Sequence, residues 1–238
     1  MDLPSFREPA SAWTHLVALM FWLPGILVLW RGSRGEPGKR TSLGVYGLCL
    51  ASCYSASTLY HGVRLPDDQL SPFIRLDSMG IFALIAGTYT PLAWNLMSGA
   101  WRIWTLSAVW GTAGTAIAIL ASGGRIPTAL ATAVYLVMGW GVILCYSQMA
   151  RVISHRALSL VVIGGVFYSV GAVLNLLRRP TLWPGIFGPH DLFHLFVIAG
   201  SLAHYWFILA VVLPFRPDPG RFPGTVKPPP PPIISDRH

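Results

Sequence analysis

The sequence has few charged residues and no cysteine pattern typical of disulfide bonds. Only 11% of its 238 residues are Asp, Glu, Lys or Arg, whereas 53% are apolar. A soluble domain is roughly one quarter charged, so this chain has too few charges to cover a surface that faces water. Its three cysteines lie inside apolar segments, without the spacing of a disulfide framework or a CxxC metal pair. A soluble or disulfide-stapled fold is therefore excluded.

The basic residues do not indicate nucleic-acid binding, although the net charge is +8. The 17 Lys and Arg residues are scattered in ones and twos between apolar segments, as expected for residues that hold helix ends at lipid headgroups. We therefore expect membrane lipids as partners and no nucleic acid. The sequence does not identify protein partners.

Apolar segments of about 20 residues recur along the chain, and this length crosses roughly 30 Å of hydrocarbon. They predict an all-α integral membrane protein, a bundle of seven transmembrane helices that forms one domain over residues 1–214. Residues 215–238 are rich in proline and are predicted to form a disordered tail. The predicted helices span residues 12–30, 42–61, 77–97, 104–121, 127–148, 157–176 and 190–213.

The polar residues of the predicted helices gather at one face of the membrane. Odd helices of a seven-helix chain start at the face where even helices end, and this face is here called face A. Ionisable residues are costly inside a membrane, so they usually face the bundle interior and indicate a functional site. Face A receives Glu8, His15, Ser57, His61, Asp77, His190 and His194.

The spacing of these histidines predicts a metal site. His190 and His194 are one helical turn apart, so both rings lie on the same side of a helix, as binding of one cation requires. With His61 they would give Zn²⁺ three ligands and leave one position open for water, which is typical of catalytic zinc. The alternative is a layer of hydrogen-bonded packing histidines. His204 lies about 15 Å deeper than His194, so we expect it to form an interhelical hydrogen bond instead.

The same residues resemble a known family, the hemolysin III family, within the wider group of progestin and adiponectin receptors (PAQR) and membrane ceramidase-like proteins. The resemblance implies a seven-helix fold, zinc held by His61, His190 and His194, and a water shared with Asp77 and Ser57. The matching segments are EPASAWTH (8–15), STLYH (57–61), DSMGIFALIAGTYTP (77–91), GGVFYSVG (164–171) and GPHDLFHLFVIAGSLAH (188–204).

The first motif departs from the family pattern at one position. The family usually has Asn between the glutamate and the histidine, where this chain has Ser11. We assign Glu8 and His15 a supporting role at the site. Ser11 therefore changes the contacts that we expect around Glu8 and His15. It does not affect the prediction of the three histidine ligands.

Three functions are compatible with these residues. The first is a zinc-dependent hydrolase of a lipid amide or ester, in which Asp77 is the general base and Ser57 holds the water or the developing oxyanion. The second is a non-enzymatic membrane protein in which zinc braces predicted helices two, three and seven while the fold senses lipids or adjusts membrane properties. The third, a pore-forming hemolysin, is less favoured because no polar stripe runs from face to face.

The distribution of charge and the family resemblance indicate the location of the protein and its orientation in the membrane. Face A carries 6 Lys and Arg residues and the opposite face, face B, carries the other 11 of 17, so the positive-inside rule puts face B in the cytoplasm. Resemblance to the PAQR receptors puts face A there, and we favour that orientation in a bacterial inner membrane. Arg178 and Arg179 end the sixth predicted helix at face A, where they either snorkel to headgroups or bind lipid phosphate.

Overall fold

The computed structural model describes residues 6–216, so the predicted tail from residue 217 onward lies outside the described residues. Within residues 6–216 the chain forms seven helices, which confirms the predicted all-α membrane bundle. The helices are α1 (Pro9–Gly32), α2 (Pro37–Gly62), α3 (Ser71–Leu96), α4 (Gly99–Ala121), α5 (Thr128–Met149), α6 (His155–Leu177) and α7 (Pro189–Val212).

Four of these helices start next to a proline. Pro9, Pro37, Pro72 and Pro189 occupy the first or second helical position, where a missing amide hydrogen is not needed. The helices therefore extend beyond the apolar segments that predicted them. The largest consequence is in α3, where Asp77 lies more than one turn inside the helix rather than at its start.

The two central helices are the least apolar. Five helices, α1, α4, α5, α6 and α7, are long and apolar enough to cross a membrane by themselves. In contrast, α2 and α3 carry the polar residues of the predicted site, and they contain more buried residues than any other helix described. Their polar side chains are tolerated because they face neighbouring helices instead of lipid.

Helices that follow one another in the chain pack side by side. This holds for α1 with α2, α2 with α3, α3 with α4 and α6 with α7, and α7 returns to contact α1 and α3. Small residues permit the closest of these approaches, since Gly80 and Gly87 of α3 lie against Cys53 and Cys49 of α2. The bundle is thereby closed around α2 and α3.

Two local features complete the scaffold. α5 is interrupted at Gly141, and the Tyr89 hydroxyl group of α3 donates to the carbonyl oxygen of Met138 at 2.7 Å, next to the break. His204 of α7 lies 3.1 Å from the carbonyl oxygen of Val161 in α6, which is the interhelical hydrogen bond expected from the sequence. Both bonds satisfy polar groups that would otherwise be costly inside a membrane.

The face B end of α7 is fixed to α2 by a buried lysine. The Lys39 ammonium group, with a side chain only 3% exposed, pairs with Glu36 at 3.0 Å. It also donates to the carbonyl oxygens of Leu213 at 3.1 Å and Phe215 at 2.5 Å. A cation is favourable at the carbonyl end of a helix, so Lys39 caps the end of α7 from a neighbouring helix.

Candidate metal centre

Three imidazole groups converge where the end of α2 meets the start of α7. Nε2 of His190 lies 3.3 Å from Nε2 of His61 and 3.2 Å from Nε2 of His194. One nitrogen atom of each ring lies within 4.8 Å of the other two. At a Zn–N distance of about 2.0–2.1 Å, tetrahedral ligands are roughly 3.3–3.4 Å apart. The two distances from Nε2 of His190 therefore match two edges of a zinc tetrahedron, and the whole set is compact enough to surround one ion.

In two of the three rings, the nitrogen atom that points away from the cluster is hydrogen-bonded to an acceptor. Nδ1 of His61 is hydrogen-bonded to the Glu8 carboxylate, and Nδ1 of His190 lies 3.1 Å from Oδ1 of Asn175. An acceptor at Nδ1 keeps the proton on that nitrogen and leaves the Nε2 lone pair directed into the cluster. Nδ1 of His194 makes no hydrogen bond within residues 6–216, although the backbone carbonyl group of Ser11 lies near it.

Glu8 is held by both its backbone and its side chain. It occupies the N-cap of α1, its amide group donates to the carbonyl oxygen of His61 at 3.0 Å, and its carboxylate pairs with Arg7 at 3.1 Å. The hydrogen bond from His61 holds the pKa of the Glu8 carboxyl group below its ordinary value, against the opposing effect of partial burial. Glu8 therefore stays ionised beside the cluster, as an acceptor for His61.

His15 contacts the cluster through the face of its ring. The rings of His15 and His194 are stacked with 3.8 Å between centroids and 24° between planes. The His15 ring also packs against Tyr54, with 4.8 Å between ring centroids. Both nitrogen atoms of His15 are buried, and neither makes a hydrogen bond within the part of the chain that the structure describes. His15 is thus placed to fix the plane of the His194 ring.

Ser11 makes a direct contact despite the departure from the family pattern. Its hydroxyl group donates to Oδ1 of Asp191 at 2.6 Å, and Oδ2 of Asp191 accepts from the Gly188 amide group at 2.8 Å. Asp191 is in the first turn of α7, where a carboxylate is favourable. The first motif therefore ties α1 to the helix that carries His190 and His194.

Asp77 and Ser57 face each other across the contact between α3 and α2. The Asp77 carboxyl group lies close enough to the Ser57 hydroxyl group and to His61 to interact with both. Ser57 is buried, and both residues line a cavity that also reaches His15 and His194. A carboxylate and a hydroxyl group thus lie next to the histidine cluster on its membrane side.

That cavity, called the inner cavity, extends from the cluster into the bundle. Its walls come from every helix except α4, and they reach His204, which is well beyond the histidine cluster. Apolar side chains dominate the lining, and they include Leu84, Leu92, Val142, Val161 and Val197.

A second pocket, called the outer pocket, lies on the other side of the cluster. It is more polar than the inner cavity, and both His61 and His190 line it. His194 lines the inner cavity instead, so the histidine cluster lies between the two spaces. The other residues around the outer pocket include Arg7, Glu8, Ser11, Tyr60, Asp191 and residues 185–188.

Fold and site together define a multi-pass integral membrane protein with a buried histidine cluster at one end of its helices. Residues 5–205 match the family described as Haemolysin-III related, and the chain belongs to this family. The resemblance drawn from the motifs is confirmed.

Curated relatives support this assignment. The chain is 32% identical to Hemolysin-3 of Bacillus cereus over 211 residues, which cover 87% of this chain and 93% of that protein. It is 30% identical to the Hemolysin-3 homolog of Bacillus subtilis (strain 168), over 88% of this chain and 97% of that protein. An adiponectin receptor protein of Drosophila melanogaster is 24% identical over 85% of this chain and 52% of that protein, which extends the relationship to the PAQR group.

Two residues of the site, Asn175 and Asp191, were missed by sequence reasoning. Asn175 is near the end of α6 and Asp191 is in the first turn of α7, so both lie at face A. Asn175 is an amide group near the end of an apolar helix, at the same depth as the histidines, and this position was a signal for it in the sequence. Asp191 carried a different signal, an acidic residue in the first turn after a glycine N-cap.

Proposed function

We propose that this protein is a zinc-dependent hydrolase that acts on a lipid amide or ester. The position of the histidine cluster carries this proposal, because a polar pocket lies on one side of it and an apolar cavity lies on the other. A lipid has the same division into a polar headgroup and an apolar chain. The bond between these parts would lie beside the cluster when the headgroup is in the outer pocket and the chain is in the inner cavity.

His61, His190 and His194 would hold Zn²⁺, and the two short Nε2–Nε2 distances from His190 support this assignment. When bound, zinc lowers the pKa of a water ligand to about 7 and polarises a carbonyl oxygen. Glu8 and Asn175 would orient two of the ligand rings through Nδ1. His15 would support the third ring by stacking on it.

Asp77 would act as the general base and Ser57 as its hydrogen-bonding partner. The interaction of the two side chains and their place on the inner cavity support these roles. Asp77 would accept a proton from the attacking water and return it to the leaving group. Ser57 would hold either the water or the oxyanion that develops on the substrate.

A second function is non-enzymatic lipid sensing or membrane homeostasis with structural zinc. The contacts that join α1, α2 and α7 around the cluster support it, because a metal ion there would brace the bundle. A pore-forming hemolysin is suggested only by the names of the family and of the two Bacillus relatives. The apolar lining of the inner cavity gives it little support. For either function we propose a bacterial inner membrane as the location and membrane lipids as partners.

The test of the leading proposal is release of fatty acid by zinc-loaded protein from a panel of lipid amides and esters. We expect release by the parent protein and a rate about 10²-fold to 10⁴-fold lower for Asp77→Asn. Asp68→Asn, which removes an exposed carboxylate between α2 and α3, is the matched control and should leave the rate unchanged. Zinc-loaded parent protein that releases no fatty acid from any of these lipids would favour the non-enzymatic function.

A further inference from the structure

The connection between α6 and α7, residues 178–188, exposes large apolar side chains at face A. Leu182, Trp183 and Ile186 are 50%, 65% and 76% exposed, although water-facing loops are usually polar. The segment is here called the interfacial loop. Because it joins the ends of two transmembrane helices, it lies at the depth of the lipid headgroups, where tryptophan is commonly enriched.

The backbone of this loop forms a closed turn. The amide group of Trp183 donates to the carbonyl oxygen of Phe187 at 3.1 Å, and the amide group of Phe187 donates back to Trp183 at 2.9 Å. The amide group of Ile186 also donates to Trp183, at 3.0 Å, and Gly185 provides the positive φ of 79° that the turn needs. Backbone groups that bond to each other can approach hydrocarbon without the cost of an unsatisfied polar group.

Two adjacent arginines precede the apolar turn. Arg178 and Arg179 directly follow the end of α6 and are exposed, and neither forms a salt bridge within residues 6–216. A guanidinium group binds phosphate through two parallel hydrogen bonds, so a pair of them at headgroup depth matches an anionic phospholipid. The loop thus combines an apolar tip with cationic side chains at its base.

We propose that the interfacial loop inserts Leu182, Trp183 and Ile186 among the lipids and binds the phosphate of an anionic phospholipid through Arg178 and Arg179. Residues 185–188 of the same loop form one wall of the outer pocket, which contains His61 and His190. The loop therefore brings a phospholipid headgroup to the entrance of the candidate metal centre. Lipid capture by the loop is independent of zinc binding and of catalysis.

The insertion is tested by an environment-sensitive fluorophore, NBD, attached to Ile186→Cys in the full-length protein in liposomes. The three native cysteines are buried, and the unsubstituted protein measures any labelling of them. The matched control is Ser122→Cys, an exposed position in the polar α4–α5 connection, which also lies at face A. We expect blue-shifted emission at residue 186, quenched by lipids brominated near the top of the chain, and at residue 122 emission typical of water.

Phospholipid binding is tested by energy transfer from the probe at residue 186 to headgroup-labelled phosphatidylglycerol. Each arginine near an anionic surface is expected to contribute about a fivefold enrichment, so Arg178→Gln and Arg179→Gln together should lower the transfer strongly. Arg31→Gln with Arg34→Gln, at face B, should leave it unchanged. Water-like emission at residue 186, or no effect of the Arg178 and Arg179 changes, would overturn the proposal. A blue shift that depends on protein density and ignores brominated lipid would also overturn it, in favour of a second copy of the chain.

Discussion

Oδ1 of Asn175 in α6 lies 3.1 Å from Nδ1 of His190 in α7. A comparable bond joins Glu8, at the start of α1, to His61 in α2. The two helices that supply these acceptors, α1 and α6, provide none of the three clustered nitrogen atoms. The residues that orient these two rings are therefore distinct from the three predicted ligands. A substitution can remove an orienting group and leave all three ligands in place.

Asn175→Leu should weaken zinc binding while the three ligands remain. The substitution keeps the size of the side chain but removes the acceptor for His190, and loss of such a partner typically costs about 10-fold to 100-fold in metal affinity. Asn175→Asp retains an acceptor and should bind zinc almost as the parent does. Competition with a chromophoric chelator measures the affinity.

Asn95→Leu is the control for this experiment, because the Asn95 amide group bonds to Pro91 and Ser42 in α3 and α2, remote from the histidines. It should lower stability without changing zinc affinity. If the parent binds zinc and Asn175→Leu binds it equally well, Asn175 has no orienting role. A parent that binds no zinc would instead remove the metal site itself.

Combined replacement of His190 and His194 by alanine should abolish metal binding. The parent protein should contain about one zinc per chain after zinc loading, since three imidazole groups and one water complete a single tetrahedral site. His155→Ala, which removes an exposed histidine that bonds to Tyr146, should keep the metal. Elemental analysis of the purified proteins measures this, and folded parent without zinc would contradict the proposed metal centre.

Removal of zinc should lower the thermal stability of the parent protein. A ligand that binds only the folded state at 1,000 times its Kd stabilises that state by about 4 kcal/mol. A chelator should therefore lower the Tm of the parent and leave the Tm of the double histidine variant unchanged. An equal response of the two proteins would mean that the chelator acts elsewhere.

Gly87→Ala should destabilise the bundle. A Cβ atom at this position would lie 2.6 Å from Cβ of Cys49, so α3 and α2 would have to separate. Such overpacking typically costs about 1–3 kcal/mol. Gly111→Ala is the matched change in α4, where nothing lies within 4 Å of the added atom, and it should be neutral or stabilising by up to about 1 kcal/mol. Unfolding in mixed micelles compares the two variants.

Lys39→Met should loosen the end of α7. The change leaves the carbonyl groups of Leu213 and Phe215 without their buried donor, which typically costs about 1–3 kcal/mol. Arg34→Met removes an exposed cation from the same end of the bundle and serves as the control. Equal unfolding midpoints for the two variants would show that Lys39 does not cap the helix.

Hydropathy and depth were sufficient to predict the seven helices and the gathering of polar residues at face A. A histidine or aspartate inside an apolar segment must face the protein interior, and the alternating direction of the helices fixes which of these residues share a depth. These two properties identify His61, His190 and His194 from the sequence. The helix starts were less predictable because proline at the first turn extends a helix through polar residues.

The rotation of each helix about its own axis could not be predicted from the sequence. Asn175 reaches His190 only because α6 turns that side of its surface toward α7, and hydropathy is nearly uniform around α6. The inner cavity was unpredictable for a related reason, since residues such as Leu84 and Val161 line it with the same chemistry that faces lipid. The interruption of α5 lies next to a hydrogen bond from Tyr89, a side chain that is distant in the sequence.

The low hydropathy of α2 and α3 has a consequence for biosynthesis. A helix that carries histidine, aspartate and several hydroxyl groups partitions poorly into a bilayer when it leaves the translocon alone. Since α2 and α3 pack along each other and are flanked by the apolar α1 and α4, we expect the first four helices to enter the membrane as a group. The residues that make up the site thus also make the entry of α2 and α3 into the membrane depend on their neighbours.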